Sequence, residues 1–372
     1  MRIALITRRF DPSGGGTERD LMVTARYLRD AGHQVTIYAD EVRAASADWT
    51  VHRVPTGAGR ALRIRRFAMA APAAARRDDA EMVISFARTI GADVMRSGGG
   101  AHISYVRAAR RWRSSLGAGV MRLSAYHRAQ MAIERRAFRS PTLRCTVAVS
   151  NFVRDDLIRE FGLAPDRVVT IYNGVDLERF RPITDREVRA AIRRRVGIVD
   201  STPMVVFAGN GFARKGLEFL IRAWPQLARD AALVVVGEDR AILRFRRLSH
   251  RLGVSRRIHF VGRRRDVAEI FGAGDVFALP SLFEPFGNVV MEAMATGTPA
   301  LTSAYSGVSE LMPEAMRGFI VADPTNPDEI AEKLGELVDQ RVGLREMSRV
   351  AAERCTWDEY GRRFVALIES LR

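Results

Sequence analysis

Arg2-Ile3-Ala4-Leu5-Ile6-Thr7, then Ser13-Gly14-Gly15-Gly16, then Leu21, Ala25 and Leu28 at helical spacing, then Val35-Thr36-Ile37-Tyr38 occupy the first 40 residues in that order. They read as strand, glycine loop, helix and strand. A chain that opens this way builds a parallel, doubly wound sheet, and such sheets hold ligands at the carboxyl ends of their strands. Gly15 and Gly16 would sit in that crevice.

The alternation continues outward. Residues 82–86 and 145–149 are further buried apolar runs, and the second half carries strands at 204–208, 233–236, 258–261, 276–279 and 300–302 with helical stretches between them. Tyr172-Asn173-Gly174-Val175-Asp176, followed by Pro182, supplies the turn residues where the halves join. With 372 residues the chain is long enough for two cores. The reading is α/β: two doubly wound Rossmann-like domains over 1–172 and 173–356, facing across a cleft. A terminal helix over 357–372 returns to the N-terminal domain. That architecture suits an enzyme that joins one ligand from each domain.

Charge is the anomaly. The formal net charge is +16, and all but two of the 59 basic residues are arginine, the exceptions being Lys215 and Lys333. A GC-rich genome explains arginine over lysine but not the net excess. Residues 1–170 hold 29 arginines against 16 acids, so the first half meets something anionic. Within it, residues 105–144 hold ten arginines and one acid, Glu134, with Trp112, Leu116, Met121, Leu123, Tyr126, Met131 and Phe138 interleaved. This predicts a basic amphipathic helix or helix pair facing an anionic membrane surface. Cys145 and Cys355 form no metal or disulfide pattern. The first apolar run is too short for a signal peptide, and no run of about 18 apolar residues spans a bilayer. The expectation is a cytoplasmic protein, peripheral on the inner face of the membrane.

Two segments carry chemistry. Gly209-Asn210-Gly211-Phe212-Ala213-Arg214-Lys215-Gly216 follows a strand and precedes a helix, where a phosphate-binding loop belongs. Its glycines admit close backbone approach, and Arg214 with Lys215 offers two cations to a diphosphate. Glu284-Pro285-Phe286-Gly287-Asn288-Val289-Val290-Met291-Glu292 again follows a strand and runs into a helix. If the helix starts near Gly287, its amides donate to an anion and its two carboxylates accept from sugar hydroxyls. A site offering both suits a sugar nucleotide. His33 opens the second strand and reads as structural, while Glu18, Asp93 and Asp176 read as turn or surface carboxylates without chemistry.

The two carboxylates seven residues apart, with the upstream Arg-Lys pair, resemble the large family 4 of retaining glycosyltransferases, which adopt the GT-B fold. Gly14 to Arg19, Ala31-Gly32-His33-Gln34-Val35, Tyr172-Asn173-Gly174-Val175-Asp176 and Phe260-Val261-Gly262 support the resemblance. Within the family the chain looks most similar to the lipopolysaccharide core glucosyltransferases, whose Gly-Arg-Lys-Gly-Val stretch resembles Ala213-Arg214-Lys215-Gly216-Leu217.

The resemblance implies roles. Arg214 and Lys215 neutralise the donor diphosphate, Glu284 binds hydroxyls of the donor hexose, and Glu292 accepts the ribose hydroxyls. The backbone of Phe286, Gly287, Asn288 and Val289 holds sugar and phosphate, with Gly209 and Asn173 also in the donor site and Arg263 beside the base. Gly15 and Gly16 approach from the opposite domain. Arg96-Ser97-Gly98-Gly99-Gly100-Ala101-His102 resembles the loop that faces the sugar, and His102 is the candidate there for the hexose or the acceptor. Some relatives carry Asp where Gly99 stands, which leaves any acceptor base unassigned.

The implied reaction is transfer of a hexose, glucose from UDP-glucose, onto a lipid-linked saccharide such as the heptose of lipopolysaccharide inner core. It proceeds with retention, without metal, in a monomer. Two other GT-B readings share the architecture: a hexosyltransferase acting on a phosphoinositide or polyprenyl-linked glycan, and a UDP-sugar epimerase. An epimerase needs no membrane face. A nucleic-acid-binding protein would use the basic half as a phosphate track but would leave Glu284, Glu292 and the Arg214-Lys215 loop without purpose.

Overall fold

A computed structural model describes residues 1–372 apart from 12–13, 44–46, 58, 200 and 228–229, and apart from the side chains of Ser115 and Leu116. Ser13 of the glycine break and the side chain of Leu116 therefore lie outside the described residues. The chain divides into two compact units, Met1–Asn173 with Trp357–Arg372, and Gly174–Thr356. Asn173 belongs to the first.

The first unit runs β1 (Arg2–Phe10), α1 (Thr17–Asp30), β2 (Gln34–Val42), β3 (Thr50–Arg53), α2 (Arg60–Arg77), β4 (Met82–Ser85), β5 (Val94–Ser97), α3 (His102–Ala108), α4 (Ser115–Leu123), α5 (Ala125–Phe138), β6 (Cys145–Ala148), α6 (Asn151–Phe161) and β7 (Val168–Thr170). Its seven strands lie parallel in the order β3-β2-β1-β4-β5-β6-β7. Ile3, Leu5 and Ile6 of β1 and Val83 and Ile84 of β4 are buried because helices cover both sheet faces. Winding reverses beside β1, with β2 on one side and β4 on the other, so the loops leaving β1 and β4 diverge. A cavity of about 440 Å³ opens there, lined by residues that include Arg8, Arg9, Glu18, Phe86, Arg88 and Gln130.

The basic segment is not one helix or a pair. It folds as α3, a 3-10 turn at Ala109–Arg111, α4 and α5. Ser114 starts α4 by accepting from the Gly117 amide at 3.2 Å, and Ser124, at ψ 127°, leaves helical geometry before α5. All ten arginines of the segment are exposed, whereas Ala129 and Ile133 of α5 pack on Ile64 and Ala68 of α2.

The second unit runs α7 (Arg186–Arg195), β8 (Met204–Ala208), α8 (Leu217–Ala223), β9 (Ala232–Val236), α9 (Ile242–Arg251), β10 (Ile258–Gly262), α10 (Val267–Ala273), β11 (Val276–Ala278), α11 (Asn288–Ala295), β12 (Ala300–Ser303), β13 (Ile320–Val321), α12 (Pro327–Gln340) and α13 (Arg345–Glu353). Its six parallel strands are ordered β10-β9-β8-β11-β12-β13. Every residue of β8 and β9 is buried. Here winding reverses between β8 and β11.

The last helix, α14 (Trp357–Ser370), belongs to the first unit. Trp357, Tyr360, Phe364 and Ile368 recur at helical spacing and join one buried cluster with Leu21, Ala25 and Leu28 of α1. The Tyr360 hydroxyl meets Thr24 Oγ1 at 2.7 Å. Replacing Phe364, which is 1% exposed, with Ala is expected to cost about 3–5 kcal/mol. Urea unfolding followed by the fluorescence of Trp357 checks this.

Candidate active site

The loops leaving β8 and β11 stand on either side of the second unit's winding reversal, where open α/β sheets bind ligands. Gly216 makes their meeting possible. It has φ +80°, and a Cβ there would lie 1.9 Å from the Pro280 carbonyl oxygen. The Leu282 amide then donates to the Arg214 carbonyl at 2.8 Å.

Three charged side chains converge as a result. Lys215 Nζ donates to Glu284 Oε2 at 2.7 Å, and Arg214 Nη1 donates to the same oxygen at 3.1 Å and to the Phe283 carbonyl at 2.6 Å. Among the described residues no group bonds Glu284 Oε1. Burial pushes the Glu284 carboxyl up, but the Lys215 ammonium and the Arg214 guanidinium outweigh it and hold it at about 2. The carboxylate is ionised at neutral pH, acts only as an acceptor, and leaves the three groups with a net charge of about +1.

A third loop fixes the backbone. The Glu284 amide donates to the Tyr305 carbonyl at 2.8 Å, Gly307 donates back to the Glu284 carbonyl at 3.0 Å, and Val308 donates to the Phe286 carbonyl at 2.7 Å. Gly287 caps α11 at φ +108°, with Ser306 Oγ 3.0 Å from where a Cβ would stand. Because α11 begins at Asn288, the amides of Asn288 and Val289 stand in its first turn, the end of a helix that favours an anion. Glu292 is buried one turn further on. Gly209 closes β8 with its amide on the Val236 carbonyl at 3.0 Å, and Arg263 is exposed just past β10. The fold thus brings Gly209, Arg214, Lys215, Glu284, Phe286, Gly287, Asn288, Val289 and Glu292 to the carboxyl ends of β8 and β11.

The remaining candidates lie in the first unit. Gly15 and Gly16 are exposed before α1. Asn173 is buried, and its carboxamide oxygen accepts from Arg96 Nη2 at 2.5 Å, a guanidinium that also bonds Asp20 at 2.8 Å. His102 is not a loop residue but the first of α3, and it is buried. Its amide donates to Glu134 at 2.8 Å and its Nε2 lies 2.9 Å from His127 Nδ1. Burial, then Arg88 and His127, press its pKa to about 3, so the ring is neutral.

Glu18 is a buried partner of Arg9, not a surface carboxylate. Asp93 accepts from the Val83 amide at 2.6 Å, and Asp176 caps a turn through the Arg179 amide at 2.9 Å. Sequence reasoning missed Arg88, His127 and Glu134 as partners of His102. A lone acid among ten arginines was the one signal pointing to Glu134.

A family model for "Glycosyl transferases group 1" matches residues 188–355, and one for "Glycosyltransferase Family 4" matches residues 14–179. The chain belongs to these GT-B glycosyltransferases. It is 25% identical to the lipopolysaccharide glucosyltransferase WaaG of Escherichia coli (strain K12) over 88% of this chain and 87% of that one. A crystal structure of WaaG, a glycosyltransferase involved in lipopolysaccharide biosynthesis, matches with a TM-score of 0.83 at 24% identity, covering 98% of this chain and 99% of that one. The D-inositol 3-phosphate glycosyltransferase of Xylanimonas cellulosilytica is 34% identical over 57% of this chain and 54% of its own length. Against the first curated relatives the match spans about half their length.

The charge cluster sets a pH dependence. Glu284 titrates at about 2 in the folded chain, below an unfolded glutamate near ~4.3. Its pairing therefore adds stability that is fully present above that unfolded value and is lost as pH falls toward 2. Glu284→Gln is expected to flatten unfolding free energy between about pH 5 and 2. Denaturant titrations across that range measure it.

Proposed function

We propose that the protein is a retaining hexosyltransferase that moves glucose from UDP-glucose onto a lipid-linked saccharide such as the heptose of lipopolysaccharide inner core. The observation that carries this reading is Glu284, held ionised by Lys215 and Arg214 at the end of α11 with one oxygen left for a sugar hydroxyl. Lys215 and Arg214 stabilise the diphosphate as it leaves, aided by the α11 amides. Glu292 accepts the ribose hydroxyls and Arg263 lies by the base. As the bond from the anomeric carbon to the diphosphate oxygen breaks, the acceptor hydroxyl attacks the oxocarbenium-like carbon from that same face and passes its proton to the departing diphosphate. In this reading the two cations and the helix end do the charge stabilisation a divalent metal does elsewhere.

The acceptor's lipid places the reaction at the inner face of the cytoplasmic membrane. Val120 and Leu123 of α4 are 61% and 76% exposed, three residues apart on one helical face. Exposed arginines at positions 110, 111, 113 and 122 surround them in sequence. Apolar residues framed by guanidiniums match an anionic lipid surface. Among the described residues no helix is long and apolar enough to cross a membrane.

Lys215→Ala and Glu284→Ala are each expected to lower transfer about 10²-fold or more with the circular dichroism spectrum unchanged. Wild-type turnover in both variants rejects the reading. Thermal protection by a panel of UDP-, GDP- and ADP-sugars identifies the donor; UDP-glucose at 100 times its Kd is expected to add about 2.7 kcal/mol. Protection by GDP-mannose alone would favour instead the acceptor of the phosphoinositide-directed relatives. Double substitution of Val120 and Leu123 by Asp is expected to weaken binding to anionic vesicles by roughly tenfold or more, and equal binding of the parent chain to neutral and anionic vesicles at low salt rejects the membrane role.

A further inference from the structure

The family resemblance makes His102 a candidate to contact the donor hexose or the acceptor sugar, yet its ring is already engaged. Nε2 lies 2.9 Å from Nδ1 of His127, and the two rings are near-parallel, with centroids 5.1 Å apart and planes 19° apart. Tyr105 lies 5.8 Å from the His102 ring, and Tyr126 meets His127 edge-on at 5.3 Å. Neither histidine charges at neutral pH: burial lowers both, aided by Arg88 and His127 at His102 and by Arg60 and Arg113 at His127. The contact is therefore a neutral N–H···N bond, and one ring must donate while the other accepts.

The direction follows from tautomer preference. Neutral histidine in water favours the Nε2–H form. If His102 donates from Nε2, His127 accepts at Nδ1 and keeps its own Nε2–H, so both rings hold the preferred form. The reverse direction forces both into the minor one. Among the described residues no group bonds His102 Nδ1, which is left as the ring's remaining polar atom.

We propose that His127 is a positioning residue that fixes His102 as the Nε2–H tautomer, so that His102 Nδ1 accepts a hydrogen bond from a substrate hydroxyl. This rests on the reading of His102 as sugar-facing. The α5 helix holds His102 at two points two turns apart: the ring through His127, and the backbone through Glu134, whose carboxylate takes the His102 amide and is paired with Arg88. Sequence alone offers no reason to couple a residue of the basic segment to the glycine loop upstream of it.

The test uses the full chain and three variants. His127→Asn keeps an acceptor near the Nδ1 position, His127→Phe keeps a ring without one, and His102→Ala removes the positioned group. Long-range ¹H–¹⁵N spectra of ring nitrogens at pH 7 report the tautomers. Wild type and His127→Asn are expected to show His102 as Nε2–H with Nδ1 unprotonated, and their donor kcat/KM to agree within about threefold. His127→Phe is expected to show averaged ring shifts for His102 and a roughly tenfold lower donor kcat/KM, at a thermal midpoint matching that of His127→Asn. Nδ1–H at His102 in the wild type overturns the proposal, as does wild-type kcat/KM in His127→Phe when His102→Ala is impaired. Wild-type kcat/KM in His102→Ala overturns instead the reading of His102 on which the proposal stands.

Discussion

The second unit depends on one close approach, the Gly216 backbone against the Pro280 carbonyl. No side chain fits between them, so the loops leaving β8 and β11 lie in contact. Everything charged in the site follows from that contact. Arg214 and Lys215 stand about 70 positions from Glu284 in sequence, yet both reach one carboxylate oxygen. The loop after β12 then takes up the backbone of Glu284 and Phe286 through three amide bonds. Three loops braced by main-chain bonds fix the geometry, so less rotamer entropy is lost when the long cationic side chains close on Glu284.

The parts of this legible in sequence were those where burial is continuous. Strands of a parallel sheet covered on both faces read as unbroken apolar runs, and Met204–Ala208 and Cys145–Ala148 are fully buried examples. Four strands were not legible, for physical reasons. Thr50–Arg53 is an edge strand with an exposed pattern, Val168–Thr170 and Ile320–Val321 are short, and Val94–Ser97 contains an arginine. Arg96 sits in a strand only because Asp20 and Asn173 meet its guanidinium, and sequence spacing does not disclose partners 76 and 77 positions away.

The site divides in the same way. Residue types singled out Arg214, Lys215, Glu284 and Glu292, because cations, amides and carboxylates differ in what they bind, and the fold brings the four to the same end of the second unit's sheet. Their mutual pairing was hidden, since it depends on strand order and not on local pattern. The basic segment was legible as a charged surface, and its arginines are exposed. Its division was not: Ser114 and Ser124 set the starts of α4 and α5, and that register turns Glu134 and His127 inward toward α3 while the arginines face out. A single acid in a run of guanidiniums marks where such a surface turns toward the core, because a buried carboxylate needs a cation close by, here Arg88.

The arrangement also distinguishes the two cations of the second unit. Arg214 is bound through Nη1 alone to the Phe283 carbonyl as well as to Glu284, so one nitrogen of its planar fork is anchored on the loop that carries the carboxylate. Lys215 has a three-donor ammonium, which among the described residues bonds only Glu284 Oε2. In the proposed reaction a diphosphate arriving at α11 meets one cation anchored to the neighbouring main chain and one held by the carboxylate alone, each with donors to spare. Lys215 can bond the phosphate without releasing Glu284, whose ionisation rests on both. Glu284 Oε1 remains an acceptor throughout, so sugar recognition and phosphate neutralisation draw on separate atoms of one cluster. An Arg in place of Lys215 would present a wider, planar group in a nearly buried slot, where side-chain exposure is 9%. The order Arg-Lys, and not merely two positive charges, is what this geometry accommodates.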